Sequence, residues 1–479
     1  MKKLIPFILV ALVVVACKNE TQKSVITETV SEKTIQPISD ADLESAVIYE
    51  ANIRQYSSEG TFNAFTEDIP QLKELGVKIL WLMPVFPISE TKRKATGGDF
   101  ASLIEDEAER AKMLGSYYAV TDFTKVNPEF GTMDDLRSLI STAHDNGMYV
   151  ILDWVPNHTG WDHVWIKSHP EYYTKNAAGE ITDPLNDDGT PVGWADVADL
   201  DYSNEGLQKE MIEDMSYWLT EEGIDGFRCD VAGSVPLVFW ENAIPKLRAQ
   251  KDIFMLAEAW EPDLLKGTDL FDMAYAWDGH HVMNDIAQGK KTVHDFDAYI
   301  TKKDSMYERD DILMNFTTNH DENSWNGTIK ERMGDAAEAL VALSYSMPGM
   351  PLIYSGQEYD LEHRLLFFEK DEIPHTKGKM WPLLEKLGTL KNTNPALSGG
   401  KMASSYTRIA TSRDATVLAF RRNLKESELL YIANLSNTST EFTVAVTGDY
   451  KNVITGKELK LVENQKLSFA PWEYVVLVK

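Results

Sequence analysis

Apolar runs alternate with helix-period patterns along most of the chain, and several of the runs end in acids or histidines. The runs cover residues 47–50, 77–83, 148–155, 225–231, 254–257, 273–277, 313–317 and 352–355. Short apolar runs bounded by turn residues read as strands buried on both faces. Between them, residues 65–75, 133–146 and 207–222 carry helical periodicity, and each stretch is followed by a glycine, Gly76, Gly147 or Gly223. Glycine just past a helical pattern is a C-cap signal. Strands alternating with helices in this number predict an α/β fold, a parallel (β/α)8 barrel.

Spacing refines the layout. A barrel of this type spends about 31 residues on each strand–helix unit. Asp230 and Glu258 lie one such unit apart, and Glu258 and Asp321 lie two apart. The stretch from Asp153 to Asp230 is longer, because residues 158–204, rich in Gly, Asp, Pro and Trp, interrupt it. They read as a small domain inserted after strand 3. A long loop at residues 84–117 rims the same face. Beyond residue 400 the pattern changes to short alternating segments at 416–420, 428–434, 442–446 and 472–478. That is the pattern of an all-β domain, a C-terminal sandwich over residues 401–479. The barrel then takes residues 41–157 and 205–400.

Composition changes the picture at the N-terminus. Lys2 and Lys3 precede an apolar stretch at residues 4–15, too short for a stable span. Residues 14–17, Val-Val-Ala-Cys, resemble a bacterial lipobox, so residues 1–16 read as a lipoprotein signal peptide and Cys17 as the lipidated residue. Lys18 follows, which by analogy favours the outer membrane. Residues 17–40 read as a disordered tether. The net charge of −28 argues against nucleic acid or an anionic membrane face as partner. The expected membrane link is the N-terminal lipid alone. The two cysteines, Cys17 and Cys229, make no disulfide framework.

The chemistry lies in four strand-end segments: Asp153-Trp-Val-Pro-Asn157-His158, Gly226-Phe-Arg228-Cys-Asp230, Leu256-Ala-Glu258-Ala-Trp260 and Asn319-His320-Asp321. Acids at the C-terminal ends of parallel barrel strands share one mouth. Paired carboxyls there suit glycoside hydrolysis, in which one attacks the anomeric carbon and the other protonates the leaving oxygen. Arg228 and Asp230 face the same side of a strand, so Arg228 is expected to hold Asp230 ionised. Glu258, in apolar surroundings, suits a general acid. Among the tryptophans, Trp154, Trp161, Trp194, Trp260 and Trp325 fall on the expected mouth.

These segments, in this order, resemble the four signature regions of the α-amylase family, and the likeness spans roughly residues 45–479. The resemblance implies Asp230 as nucleophile, Glu258 as acid/base and Asp321 as the third acid, which binds sugar hydroxyls. It implies Arg228 as the residue orienting the nucleophile, His158 and His320 as sugar contacts, and Asp153 as a support for the first motif. Tyr118 matches the tyrosine stacking on the sugar, with Tyr117 the alternative if the register slips by one. A Ca²⁺ ion between barrel and inserted domain is also implied, with Asn157 and Asp199 as two of its ligands. Ser234 stands where many endo-acting members have a histidine. The implied activity is retaining hydrolysis of α-1,4 bonds in starch-like glucans or maltooligosaccharides. A glucanotransferase, a neopullulanase-like enzyme or an α-glucosidase would use the same acids. A non-catalytic glucan-binding lipoprotein is the reading from another class.

Overall fold

The computed structural model describes residues 35–479, except residues 187 and 268. The stretches expected to be a signal peptide and most of the tether, with Cys17, lie outside the described residues. Eight strands close a barrel: β1 (Ile48–Ala51), β2 (Ile79–Leu82), β3 (Tyr149–Trp154), β4 (Gly226–Cys229), β5 (Phe254–Ala257), β6 (Met273–Tyr275), β7 (Ile312–Asn315) and β8 (Met350–Tyr354). All pair in parallel, and β8 closes on β1.

Side-chain alternation divides the apolar residues into two layers. Ile48, Ile79, Tyr149, Ile151, Leu256, Met273 and Met314 point inward and fill the barrel. Tyr49, Leu80, Val150, Leu152, Trp154, Phe227 and Met255 point outward and pack under the helices. Trp154 is fully buried in that outer layer, against Phe86, Phe123 and Phe227. Its expected place on the mouth is therefore wrong. Asp153 points inward, so the next side chain must point out.

The helices begin and end close to expectation. The first long one runs Phe62–Leu72, three residues earlier than its apolar pattern indicated, because Thr61 caps it by accepting from the Ala64 amide. It tightens into a 3₁₀ turn, Lys73–Leu75, and stops at Gly76, whose φ of 77° a side chain would resist. The tether ends earlier than residue 40. Ile38 is buried and Ile35 partly buried against the barrel's inner cluster, because these apolar side chains cover the foot of the barrel.

The insertion carries an antiparallel pair, His158–Gly160 with Val197–Asp199. After the barrel comes a six-stranded antiparallel sheet, and the two-stranded Thr440–Thr443/Lys466–Phe469 pair packs on it through Phe442, Val444 and Phe469. Among the described residues no helix is long and apolar enough to cross a membrane.

Candidate active site

At the C-terminal end of the barrel the inward positions change from apolar to charged. Arg228, on β4, is completely buried and organises the site. Its Nη1 donates to Asp153 Oδ1 at 2.8 Å and to Asp230 Oδ1 at 2.9 Å, and its Nε donates to Tyr275 Oη at 3.1 Å. Its Nη2 stands 2.8 Å from Glu258 Oε2 as an ion pair. One planar guanidinium thus holds acids from three neighbouring strands, a task suited to its rigid fork. Burial works against that charge, but Asp153 and Glu258 outweigh it and hold Arg228 firmly protonated.

The residue after Asp230 adds a second link. Val231 has φ 37° and ψ 47°, a left-handed conformation that a β-branched residue resists. The turn points its amide at Glu258 Oε2, 2.9 Å away. Asp230 and Glu258 are therefore coupled twice, through the guanidinium and through this strained backbone.

Asp153 accepts from Trp81 Nε1 at 3.1 Å and from Tyr118 Oη at 3.0 Å. Tyr118 Oη also lies 2.8 Å from His320 Nε2, and the two rings stack. His320 Nδ1 meets Glu50 Oε1 at 2.5 Å, and its Nε2 lies 3.4 Å from Asp321 Oδ2. Burial opposes protonation of His320, but Asp321 and Glu50 prevail and raise it to about 9. His158 goes the other way: burial pushes it down to about 4, with Asp196 opposing.

The carboxyls themselves are all pushed up. Burial raises Asp230, with Arg228 opposing and Asp321 adding to the shift. Burial likewise raises Glu258, with Arg228 opposing and Asp230 adding. Asp321 is raised by burial and by Glu258 against His320, although 38% of its side chain is exposed. Asp153 rises to about 7 through burial, with Arg228 opposing. The contact expected between Arg228 and Asp230 is present, but it does not hold Asp230 below the ordinary range. Five acids, Glu50, Asp153, Asp230, Glu258 and Asp321, share two cations, Arg228 and His320. Burial and mutual repulsion thus shift the balance of these acids toward their protonated forms.

A cavity of about 310 Å³ opens over this cluster. It brings together Asp230, Glu258, Asp321, Tyr118, His158 and His320 on its wall, with Arg228 and Asp153 beneath. Of the candidate tryptophans, Trp194 and Trp325 line it. Trp161 lies under the Lys92 ammonium instead, and Trp260 stacks on Trp277. Tyr117 turns away from the cavity, giving its hydroxyl to Asn52 and its ring face to Arg54.

The sequence profile described as alpha amylase, catalytic domain, matches residues 28–183 and 191–381. The chain belongs to the α-amylase family. A noncanonic maltogenic α-amylase of Thermotoga neapolitana superposes with a TM-score of 0.79 at 28% identity, over 91% of this chain and 99% of that one. An α-amylase of Lactobacillus plantarum does so with a TM-score of 0.77 at 31% identity and the same coverage. The α-amylase MalA of Haloarcula japonica is 24% identical over 86% of this chain, which spans only 59% of that relative's length. The family's closed parallel barrel and C-terminal antiparallel sheet are those described above.

Several functional residues were not picked out in the sequence. Glu50 is the clearest, a fully buried acid at the mouth end of β1. Its signal was present: an acid closing an apolar run, as Asp230 closes its own. Trp81 and Tyr275 hid as ordinary core aromatics.

The two calcium donors implied by the resemblance lie at the strand pair of the insertion. Asn157 Nδ2 contacts His158, and its backbone carbonyl is taken by the Leu200 amide. Asp199, across from His158 in the strand pair, is pushed up to about 6 by burial, with Asp201 and Asp183 adding. Among the described residues no group of three acids, histidines or cysteines converges on a metal position. Calcium takes six to eight oxygens, roughly. These two residues alone do not make up such a set, and no step is assigned to it.

Proposed function

We propose that this member of the α-amylase family hydrolyses α-1,4-glucosidic bonds in starch-like glucans or maltooligosaccharides, with retention at the anomeric carbon. The observation that carries the reading is the Arg228 fork gripping both Asp230 and Glu258. Retaining enzymes keep their carboxyls about 5 Å apart and inverting ones about 6.5–9.5 Å. Acids held by adjacent nitrogens of one guanidinium suit the closer class.

In the first step an Asp230 carboxylate oxygen bonds the anomeric carbon. Glu258, whose carboxyl is pushed up by burial, with Asp230 adding, gives its proton to the glycosidic oxygen, which departs with the bonding electrons. In the second step the Glu258 carboxylate takes a proton from water. The water oxygen displaces Asp230, and the starting protonation returns. Asp321 and the His320 imidazolium hold the sugar's hydroxyls, and Tyr118 supports its apolar face. If a sugar hydroxyl replaces the water, the same residues transfer rather than hydrolyse. Cys17 is proposed as the lipid anchor to a bacterial envelope, on its sequence alone.

Timed digestion of soluble starch, maltoheptaose and pullulan tests the reading, with Asp230→Asn alongside and products separated by length. Free reducing sugar from wild type, and a loss of about 10⁴-fold or more in the variant, is the expected result. Redistributed chain lengths without new reducing ends would convert the assignment to a transferase. No change in any of the three glucans would sink it.

A further inference from the structure

The catalytic cavity does not stand alone. A second, outer basin of about 540 Å³ adjoins it, and Lys94, Trp325, Phe367 and Phe368 line both. The remaining wall of the basin comes from Gly97 and Gly98 on the long loop after β2, from Ser324 after β7 and from Arg364 after β8. In the closed barrel β8 and β2 flank β1, and β1 lies opposite β5. In the reaction proposed above Glu258, at the end of β5, serves the departing part of the sugar chain. The outer basin therefore lies on the other side of the cleaved bond, where the non-reducing end of a glucan would run. An aromatic path leads to it from the catalytic cavity. Tyr118 lies parallel to Phe367 at 6.5 Å, and Phe367 contacts Trp325 at 5.1 Å.

Lys94 lines both basins and is not free to swing. Its Nζ lies 3.2 Å from Asp196 Oδ1 and donates to the Gly193 carbonyl at 3.1 Å. Only 18% of the Lys94 side chain and 8% of that of Asp196 are exposed. The loop that carries Lys94 is fixed on both flanks. On one, Asp162 of the insertion accepts from the Glu90 and Thr91 amides, and Lys92 covers Trp161. On the other, the Leu114 and Gly115 amides donate to the Phe368 carbonyl. A mostly buried ammonium held by a carboxylate and a carbonyl is a fixed post rather than a mobile surface lysine.

We infer that Lys94, pinned by Asp196, is the stop at the non-reducing end of the cleft and sets how many glucose units the enzyme accepts there. This inference rests on the glycosidase reading above. With the post in place, the inner cavity takes a short stretch of chain and the products are short. With the post removed, the chain extends over Phe367 and Trp325 into the outer basin.

The test is calorimetric titration of maltose through maltohexaose into Glu258→Gln, and into the same variant carrying Lys94→Ala and Asp196→Asn. The paired change avoids leaving a lone buried carboxylate. In the parent, affinity should stop rising at a short oligosaccharide. In the opened variant it should keep rising, to about fivefold tighter for maltohexaose than for maltotriose. Should the opened variant fail to fold, Asp196→Asn alone releases Lys94 and should move affinity in the same direction by less. Binding with the same length profile in all variants overturns the stop and leaves the glycosidase reading standing. Absence of any maltooligosaccharide binding, together with no hydrolysis by wild type, overturns both.

Discussion

Arg228 and Arg422 are both completely buried cations, and they have opposite partners. At the barrel mouth Arg228 faces the carboxyls of Asp153, Asp230 and Glu258. At the joint between barrel and C-terminal domain, Arg422 donates to the carbonyls of Ser405, Ser346 and Ser398, each at 3.0 Å. Lys391, close by, donates to the carbonyls of Glu44, Gly349 and Leu397. The electrostatic outcome differs accordingly. Arg228 is held firmly charged by its acids, whereas burial lowers Arg422 to about 9 and Lys391 to about 7. Carbonyls satisfy hydrogen bonds without opposing charge, so they join segments of chain and leave the cation poorly compensated. Carboxyls both compensate the cation and are tuned by it. Burial of a charge therefore does not by itself mark a reactive site; the partners do.

The sharpest way to break this comparison is to keep both charges and remove the fork. Arg228→Lys supplies a point charge that cannot reach Asp153, Asp230, Glu258 and Tyr275 together. Misplacing the carboxyls of Asp230 and Glu258 should lower kcat by about 10²-fold or more. The measurement is turnover on maltoheptaose, with the thermal midpoint taken in parallel. Near-normal kcat would show that charge alone, without geometry, suffices at the mouth.

The converse variant sits at the joint. Arg422→Met keeps the bulk and deletes the donors, leaving the buried Ser346 carbonyl and the part-exposed Ser398 and Ser405 carbonyls with fewer partners. A buried carbonyl left unsatisfied costs about 1–3 kcal/mol, so the protein should lose roughly that much unfolding free energy in denaturant. The kcat of the molecules that remain folded should be unchanged. A loss of kcat with stability intact would mean that the joint communicates with the mouth.

The mouth was more legible in the sequence than the joint, and for a physical reason. Barrel strands are buried on both faces, so their apolar runs stand out, and the acids closing them stand out too. Asp230, Glu258 and Asp321 were readable as an ordered set rather than one by one, and the two-residue period placed Arg228 beside Asp230, where the structure has it. The same period, applied to Asp153, would have sent Trp154 outward. Contacts made across loops left no local pattern: Lys94 with Asp196, and Phe367 with Tyr118, are far apart in the chain. The C-terminal strands were partly missed where they are half exposed, as at Ser405–Arg408 and Glu458–Leu461. Net electrostatics were also hidden. Arg228 beside Asp230 reads as a pair, and only the packed structure shows that burial outweighs it.

The smallest expected effect concerns the acid that the sequence reading passed over. Glu50 lies on β1 and faces His320 Nδ1 at 2.5 Å, with its Oε2 left without a hydrogen-bond partner. His320 also faces Asp321 beside it, Arg228 from β4, Asp153 from β3, Tyr118 from the long loop and the Trp81 ring edge from β2. Burial and Arg228 oppose its charge, while Asp321 and Glu50 favour it, and the balance lies at about 9. Glu50→Gln removes one of the two principal favourable charges and keeps the shape. The imidazole titration, followed by NMR of histidine-labelled protein, should fall by about one pH unit or more, a difference of about 1.4 kcal/mol. Because His320 is raised above its unfolded value of about 6.5, it stabilises the fold fully below that pH. That contribution is lost as pH rises through about 9. The variant should therefore lose less stability than wild type between those two values. If His320 titrates near 9 in both proteins, Asp321 alone sets its charge, and Glu50 belongs with the carbonyls of the joint: a partner that positions but does not tune.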